Sequence, residues 1–162
     1  MQMSSTHSNG TPDFSRRVLV VEDEPVMVDA LAFVLTLNQY VVFRARTLAQ
    51  ARDSLIHQPD FLLTDLNLPD GSGLDLIRRT RERNDPVAVG LVIAPSEVPS
   101  PEVTSLRPDA VFHKPVDPKT LLTWLLTSTI TAPDDPDLRT FRGIDGTEGF
   151  RHERRIGWRA KS

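Results

Sequence analysis

Acidic residues stand at the ends of two short, largely apolar segments of the chain. Glu22 and Asp23 follow the apolar run at residues 18–21, and Asp65 follows the run at residues 61–63 and Thr64. Where such runs are neighbouring parallel strands, their carboxylates meet at one end of the sheet and disfavour one another's ionisation. A hard divalent cation removes this conflict, because Mg²⁺ takes a few carboxylate oxygens into its octahedron and keeps several waters. The sequence therefore predicts a magnesium site at Glu22, Asp23 and Asp65.

The residues of this predicted site can be given separate roles. We expect Asp23 and Asp65 to bind the cation directly and Glu22 to bind it through a water molecule. The backbone carbonyl of Asn67 is expected to supply a further ligand. A strand-end carboxylate beside Mg²⁺ can also attack phosphorus and form an aspartyl phosphate. The pattern therefore also predicts phosphoryl chemistry at Asp65.

A positive side chain is needed to balance the charge that a transferring phosphoryl group carries on its equatorial oxygens. Lys114 is the candidate, because it directly follows the strand predicted at residues 110–113. Its ammonium is a more compact point charge than the guanidinium that most basic positions of this chain carry. Pro115 comes next, and we hypothesise a cis peptide bond between the two residues.

Each of these residues also has an ordinary structural interpretation. A single Asp at a strand end is more often a turn or cap residue than a nucleophile. Asp23 and Glu24 stand before Pro25 and could simply begin a helix, since acids favour its positive end. Lys114 taken alone is more typical of a solvated surface charge. The joint placement of these residues at three predicted strand ends favours the chemical interpretation.

Strand and helix patterns alternate along the chain. Strands are predicted at residues 18–21, 40–45, 61–64, 87–94 and 110–113. Helices are predicted at residues 25–37, 47–58, 73–83, 101–107 and from 118 onward, with Thr47 and Ser100 as N-caps. This alternation predicts an α/β fold, a doubly wound five-stranded parallel sheet of flavodoxin-like order 2-1-3-4-5 with helices on both faces. Strands one and three are neighbours in that order, so the acidic residues share one crevice.

The length and composition are typical of an ordinary globular protein. We expect the 162 residues to form a disordered tail at 1–15, one domain at 16–130 and a flexible tail at 131–162. The net charge of -3 argues against a strongly basic nucleic-acid binder, and the absence of cysteine excludes thiolate metal sites. Apolar segments are too short to span a membrane, and the N-terminus lacks the apolar core of a secretory signal. We therefore expect a cytoplasmic protein.

The C-terminal tail ends in a basic segment that contains aromatic residues. Its positive residues are Arg151, Arg154, Arg155, Arg159 and Lys161. Phe150 and Trp158 lie among them, so the segment could contact nucleic acid weakly through charge and stacking. A solvated tail with incidental charge is the favoured interpretation. About 30 residues are too few for a second folded domain of ordinary size, so we expect none here.

Between about residues 17 and 130 the chain resembles the receiver domains of response regulators. The segments VLVVEDEP, DFLLTDLNLPDGSGLDLIR and FHKP are similar to the acidic pair, the phosphoacceptor segment and the lysine–proline motif of that family. The resemblance implies that Asp65 is the phosphoacceptor, that Glu22 and Asp23 bind Mg²⁺ with it, and that Lys114 contacts the phosphoryl group. It also implies a sensor histidine kinase, or a histidine phosphotransfer protein, as the donor.

Two positions depart from the pattern of that family. Where receivers carry Ser or Thr at the end of strand four, this chain has Ala94, and the hydroxyl of Ser96 lies two residues further on. Where receivers carry Tyr or Phe three residues before the lysine, this chain has Val111, with Phe112 on the opposite strand face. A lost hydroxyl–phosphate hydrogen bond is worth about 1.5–3 kcal/mol. We therefore expect phosphorylation to bias the active conformation weakly.

Two classes of function fit these observations. The first is a single-domain response regulator of a two-component phosphorelay, which accepts a phosphoryl group on Asp65 with Mg²⁺ and acts on an output protein through altered contacts. Such a protein promotes its own phosphotransfer and dephosphorylation and is not a turnover enzyme. The alternative is a degenerate receiver that binds proteins independently of phosphorylation. A dehalogenase-like phosphatase is disfavoured, because Asn67 stands where that class has a second Asp.

The last predicted helix has a wider apolar band than one core-facing side needs. The band consists of Leu121, Leu122, Trp124, Leu125 and Leu126. Core packing accounts for most of it. The remainder predicts a surface for a homodimer or another protein partner.

Overall fold

One parallel sheet organises the described part of the chain, which in this computed structural model is residues 16–128. Its strands are β1 (Arg17–Val21), β2 (Val41–Ala45), β3 (Phe61–Asp65), β4 (Ala88–Ile93) and β5 (Ala110–His113). They lie in the order β2-β1-β3-β4-β5, and every neighbouring pair is parallel. The predicted doubly wound α/β order is therefore confirmed. The predicted tails lie outside the described residues.

Within residues 16–128, four α-helices lie between successive strands and a fifth follows β5. They are α1 (Pro25–Leu37), α2 (Leu48–Ser54), α3 (Gly73–Glu82), α4 (Pro101–Leu106) and α5 (Pro118–Thr127). The side chains of Thr47 and Ser100 accept hydrogen bonds from backbone N–H groups in the first turns of α2 and α4. Both predicted N-caps are thereby confirmed. None of the described helices is both long and apolar enough to cross a membrane.

Two buried clusters cover the two faces of the sheet. Side chains alternate between them along each strand, so that in β1 Leu19 and Val21 face α2, α3 and α4 while Val18 and Val20 face α1 and α5. All residues of β3 are buried. This two-sided burial explains why the inner strands have continuous apolar sequences.

The second helix differs from its prediction. It ends at Ser54, and Leu55–His57 continue as a single 3₁₀ turn instead of α-helix to residue 58. Gln58 then adopts a left-handed conformation with φ 50°. Pro59 explains why the α-helix does not reach residue 58, because a residue that precedes proline is disfavoured in the α conformation.

The end of β3 lies directly against the start of α3. The N–H of Gly73 donates to the carbonyl of Leu66 at 2.8 Å. A Cβ atom at Gly73 would lie 2.0 Å from the backbone oxygen of Asp65. Only glycine, which has no Cβ, allows the backbone of α3 to come this close to the backbone of Asp65. Gly73 therefore permits the position of Asp65 at the end of the strand.

A carboxylate connects the loop after β3 to the start of α2. Asp70 accepts hydrogen bonds from the N–H groups of Leu48 at 2.7 Å and Ala49 at 3.0 Å. The bond from Leu48 is the main cause that lowers the pKa of Asp70 below its ordinary value. The loop around Asp70 also contains a short hairpin, Asn67–Leu68 with Gly71–Ser72, which the sequence analysis did not predict.

We expect Gly73→Ala to destabilise the domain by about 3 kcal/mol, because backbone atoms at the β3–α3 junction must move. Gly90→Ala is the matched control, since the nearest atoms to its Cβ would be side-chain atoms, at 2.9 Å on the ring of Phe112, and not backbone. A loss of roughly 1 kcal/mol is expected there. Urea unfolding followed by circular dichroism measures both values. Equal losses would contradict the role given to Gly73.

We expect Asp70→Ala to lower stability at pH 7 and to have a smaller effect near pH 3. The folded pKa of Asp70 is depressed from 3.8, so its stabilisation is present above that value and disappears as the pH falls through the folded pKa. Urea unfolding at the two pH values tests this expectation, with the exposed Asp53→Ala as the control. If Asp70→Ala lowers the free energy of unfolding by the same amount at both pH values, the hydrogen bonds to the ionised Asp70 carboxylate are not the cause of the stabilisation.

Candidate functional site

Three carboxylates meet at the carboxyl end of the sheet. Glu22 and Asp23 directly follow β1, Asp65 ends β3, and these two strands are neighbours. Each residue offers one oxygen, and these oxygens all lie within 4.8 Å of one another. Glu22 and Asp65 are buried, and Asp23 is half-buried. Such a set of oxygen donors fits a hard cation such as Mg²⁺ better than a thiolate-preferring metal. The three acids could therefore hold a metal ion.

A lysine ammonium lies between two of these acids. Lys114 directly follows β5, and its N–H donates to the carbonyl of Ile93 at the end of β4. The Nζ atom is 2.5 Å from Oδ2 of Asp65 and 3.1 Å from Oε2 of Glu22. The Lys114–Pro115 peptide bond is cis, as hypothesised. The Lys114 ammonium therefore lies beside the predicted acids and offsets part of the negative charge at the site.

Burial and charge act in opposite directions on these groups. Burial raises the pKa of Glu22 above its ordinary value, and the charge of Asp65 adds to this, while bonds from Lys114 and the N–H of Glu24 oppose it. For Lys114, burial lowers the pKa, but its hydrogen bonds to Asp65 and Glu22 outweigh that effect and raise it overall. The ammonium is therefore positively charged at neutral pH.

Backbone N–H groups orient two of the carboxylates. The N–H of Asn67 donates to Oδ1 of Asp65 at 3.1 Å, and the N–H of Glu24 donates to Oε1 of Glu22 at 3.2 Å. Asn67 therefore lies next to Asp65, and the role of its carbonyl as a ligand stays a prediction. The loop after β1 also receives a bond that sequence reasoning missed, from the guanidinium of Arg46 to the carbonyl of Asp23.

The loop after β4 lies beside the acidic site. Asp65 pairs with Val92 in the sheet, so Ala94 stands just beyond it at the same end. The N–H of Ala94 donates to Oε2 of Glu97 at 2.9 Å. Pro95 has no N–H to donate, and Ser96 is exposed. The family's usual hydroxyl is absent at Ala94, and the amide of this residue is bonded to Glu97.

The faces of β5 follow the predicted alternation. Val111 is half-buried against the cluster under α2, α3 and α4. Phe112 is buried on the other face, where its ring meets the edge of Trp124 with centroids 5.5 Å apart. His113 is exposed, and its Nε2 lies 3.1 Å from the carbonyl of Glu97. The aromatic ring therefore does not occupy the side of the strand on which Val111 lies.

Comparison with known proteins identifies similar chains. The response regulator protein PilR of Pseudomonas aeruginosa is 33% identical over 105 residues, which are 63% of this chain and 23% of PilR. This chain therefore spans about a quarter of the length of that relative. A response regulator receiver protein from Pseudomonas putida has a crystal structure with TM-score 0.64 and 30% identity, covering 69% of this chain and 96% of that one.

A CheY-like receiver domain from Methanospirillum hungatei agrees in fold, with TM-score 0.62 and 24% identity over 69% of this chain and 91% of that one. The family described as the response regulator receiver domain matches residues 18–126. That range contains β1 from Val18 onward, the other four strands in full, and each residue of the acidic site. Members of this family are signalling phosphoacceptors and not enzymes that turn over an external substrate. The chain belongs to the response regulator receiver domain family.

Proposed function

We propose that this chain works in a two-component phosphorelay by accepting a phosphoryl group on Asp65. The observation that carries the proposal is the position of this carboxylate between a cation and two other acids. The ammonium of Lys114 is 2.5 Å away on one side, and oxygens of Glu22 and Asp23 lie within 4.8 Å. This arrangement supplies a nucleophile, a positive partner for the phosphoryl group and ligands for a divalent cation.

The proposed step is an in-line displacement on a phosphohistidine of a sensor histidine kinase or a histidine phosphotransfer protein. An oxygen of Asp65 forms a bond to phosphorus, the bond from phosphorus to the imidazole nitrogen breaks, and the nitrogen keeps the electron pair. The ammonium of Lys114 then donates a hydrogen bond to an oxygen of the transferred group. Mg²⁺, when bound, supplies charge neutralisation for that group. Asp23, Asp65 and the carbonyl of Asn67 would hold it, with Glu22 acting through a water.

The proposed output is an altered protein contact, and the loop after β4 should make this response weak. Ala94 offers no hydroxyl, and its N–H is bonded to Glu97. Without that hydroxyl, the phosphoryl group stabilises the active conformation over the inactive one by less free energy. Phosphorylation therefore shifts the conformational equilibrium less. Leu126 on α5 is the most exposed residue of the apolar band predicted as a surface for a homodimer or another protein partner.

A second candidate function is protein binding that does not depend on phosphorylation. Besides the changed loop, α1 carries an exposed apolar row at Val26, Phe33 and Leu37, which are 76%, 64% and 67% exposed. These residues lie on one helix side, away from the core. Binding of a partner that is unchanged by acetyl phosphate and by Asp65→Asn would favour this second function.

We expect acetyl phosphate with Mg²⁺ to add one phosphoryl group to the wild-type chain and none to Asp65→Asn. Chelation of the metal should prevent the reaction. Lys114→Met should slow it roughly hundredfold, as loss of a charge-stabilising donor does in other active sites. Lys119→Met, at an exposed position of α5, is the matched control and should react normally. Intact-protein mass spectrometry follows the labelling. Labelling of Asp65→Asn equal to the wild type would refute the assignment.

We expect Ala94→Thr to strengthen binding of the phosphoryl mimic beryllofluoride, because it adds a hydroxyl beside Asp65. A hydrogen bond to a charged group is worth about 1.5–3 kcal/mol, so the dissociation constant should fall roughly tenfold or more. Titration in the presence of Mg²⁺ measures it. Ser96→Ala is the control and should have no effect, since Ser96 is exposed. Weaker binding in Ser96→Ala would mean that this hydroxyl replaces the missing one.

A further inference from the structure

Two loops border the acidic site, and both form hydrogen bonds with a third segment. The loops are residues 22–24 after β1 and residues 66–72 after β3. The third segment, Arg46 to Ala49, connects β2 to α2, and we call it the β2–α2 corner. It contributes none of the three clustered carboxylates. Its contacts with the loops are nevertheless direct, so it can determine how their ligands are placed.

Arg46 makes the contact with the first loop. Its Nε and Nη2 atoms both donate to the backbone carbonyl of Asp23, at 3.1 and 2.9 Å. The guanidinium is planar and its donors are rigidly spaced, so two bonds to one oxygen restrict the position of that peptide group. Such charge-assisted bonds are stronger than neutral ones. The backbone at Asp23 is thus held from the side of β2.

The corner is itself fixed to its surroundings. The N–H of Arg46 donates to Oε1 of Gln50 at 2.8 Å, and the N–H of Glu22 donates to the carbonyl of Ala45 at 3.0 Å. On the other side, the carboxylate of Asp70 accepts from Leu48 and Ala49. The β2–α2 corner, which carries the Arg46 guanidinium, is therefore also hydrogen-bonded to the loop that contains Asn67.

The carboxylates of Glu22 and Asp65 are oriented by hydrogen bonds that they accept themselves. The bond from Arg46 instead holds the backbone of Asp23, and it therefore matters for the position of the third ligand. Glu22 accepts from the N–H of Glu24 and from Lys114, and Asp65 accepts from Lys114 and the N–H of Asn67. Mg²⁺ requires near-ideal octahedral geometry, so a misplaced ligand weakens its binding. We propose that Arg46 is a positioning residue that holds Asp23 for Mg²⁺. This inference rests on the proposed function of the site.

The charge of Arg46 acts against its positioning role. A guanidinium near the site disfavours a second cation by Coulomb repulsion, whereas its two hydrogen bonds favour the ligand geometry. Arg46→Lys separates these effects, because it keeps the charge and loses the bidentate bond. Arg44→Lys is the matched control, since Arg44 is on β2 and pairs with the exposed Asp29 at 2.7 Å.

Titration calorimetry of the full chain with Mg²⁺ tests the inference. Arg46→Lys should weaken Mg²⁺ binding about tenfold, the lower end of the range for residues that orient metal ligands. Arg44→Lys should bind Mg²⁺ as the wild type does. Thermal melting without metal should give equal midpoints for the two variants, which would show that the change in affinity does not come from unfolding.

Acetyl phosphate labelling supplies a second measurement. Arg46→Lys should raise the Mg²⁺ concentration needed for half-maximal labelling and leave the rate at saturating Mg²⁺ unchanged. The role of Arg46 would be overturned if Arg46→Lys and Arg44→Lys bound Mg²⁺ equally well. This holds whether both keep the wild-type affinity or both lose the same amount of it. A wild-type chain that binds no Mg²⁺ would overturn the proposed function and this inference with it, so the two failures are distinguishable.

Discussion

Repulsion among carboxylates is the interaction on which the rest of this site depends. Glu22, Asp23 and Asp65 stand within a few ångströms of one another, and two of them are buried. Burial makes their mutual repulsion stronger than it would be in water. The ammonium of Lys114 reduces this repulsion but cannot cancel it, because one positive charge faces three acids. The remaining negative potential makes the pocket suitable for a divalent cation and for the phosphoryl chemistry proposed at Asp65.

The fold brings the opposing charges together through parallel strand order. In the order β2-β1-β3-β4-β5, β1 and β3 are neighbours, and their carboxyl ends lie side by side. β5 is two strands away from β3, and the long side chain of Lys114 spans that distance. The apolar clusters on both faces of the sheet keep the strands in register. Charge repulsion at the strand tips is therefore opposed by burial along the whole length of the strands.

Much of this arrangement could be predicted from the sequence, because it depends on local patterns. Apolar runs with acids at their ends predicted β1 and β3, and the caps at Thr47 and Ser100 predicted where two helices begin. The role of Arg46 could not be predicted in this way. Its bond to Asp23 joins residues that are 23 positions apart, and nothing local distinguishes it from other surface arginines. Glu97 was missed for a related reason, since its bond to Ala94 depends on the conformation of a proline-containing loop.

The packing of Phe112 limits how movement can pass through β5. Its ring fits beside Gly90, where a Cβ would approach within 2.9 Å, and meets the edge of Trp124. Turning this ring outward would leave an empty volume between the sheet and α5, and Val111 has no ring that could turn in its place. A rotamer exchange of one aromatic side chain is thus a costly way to transmit a change from the acidic pocket.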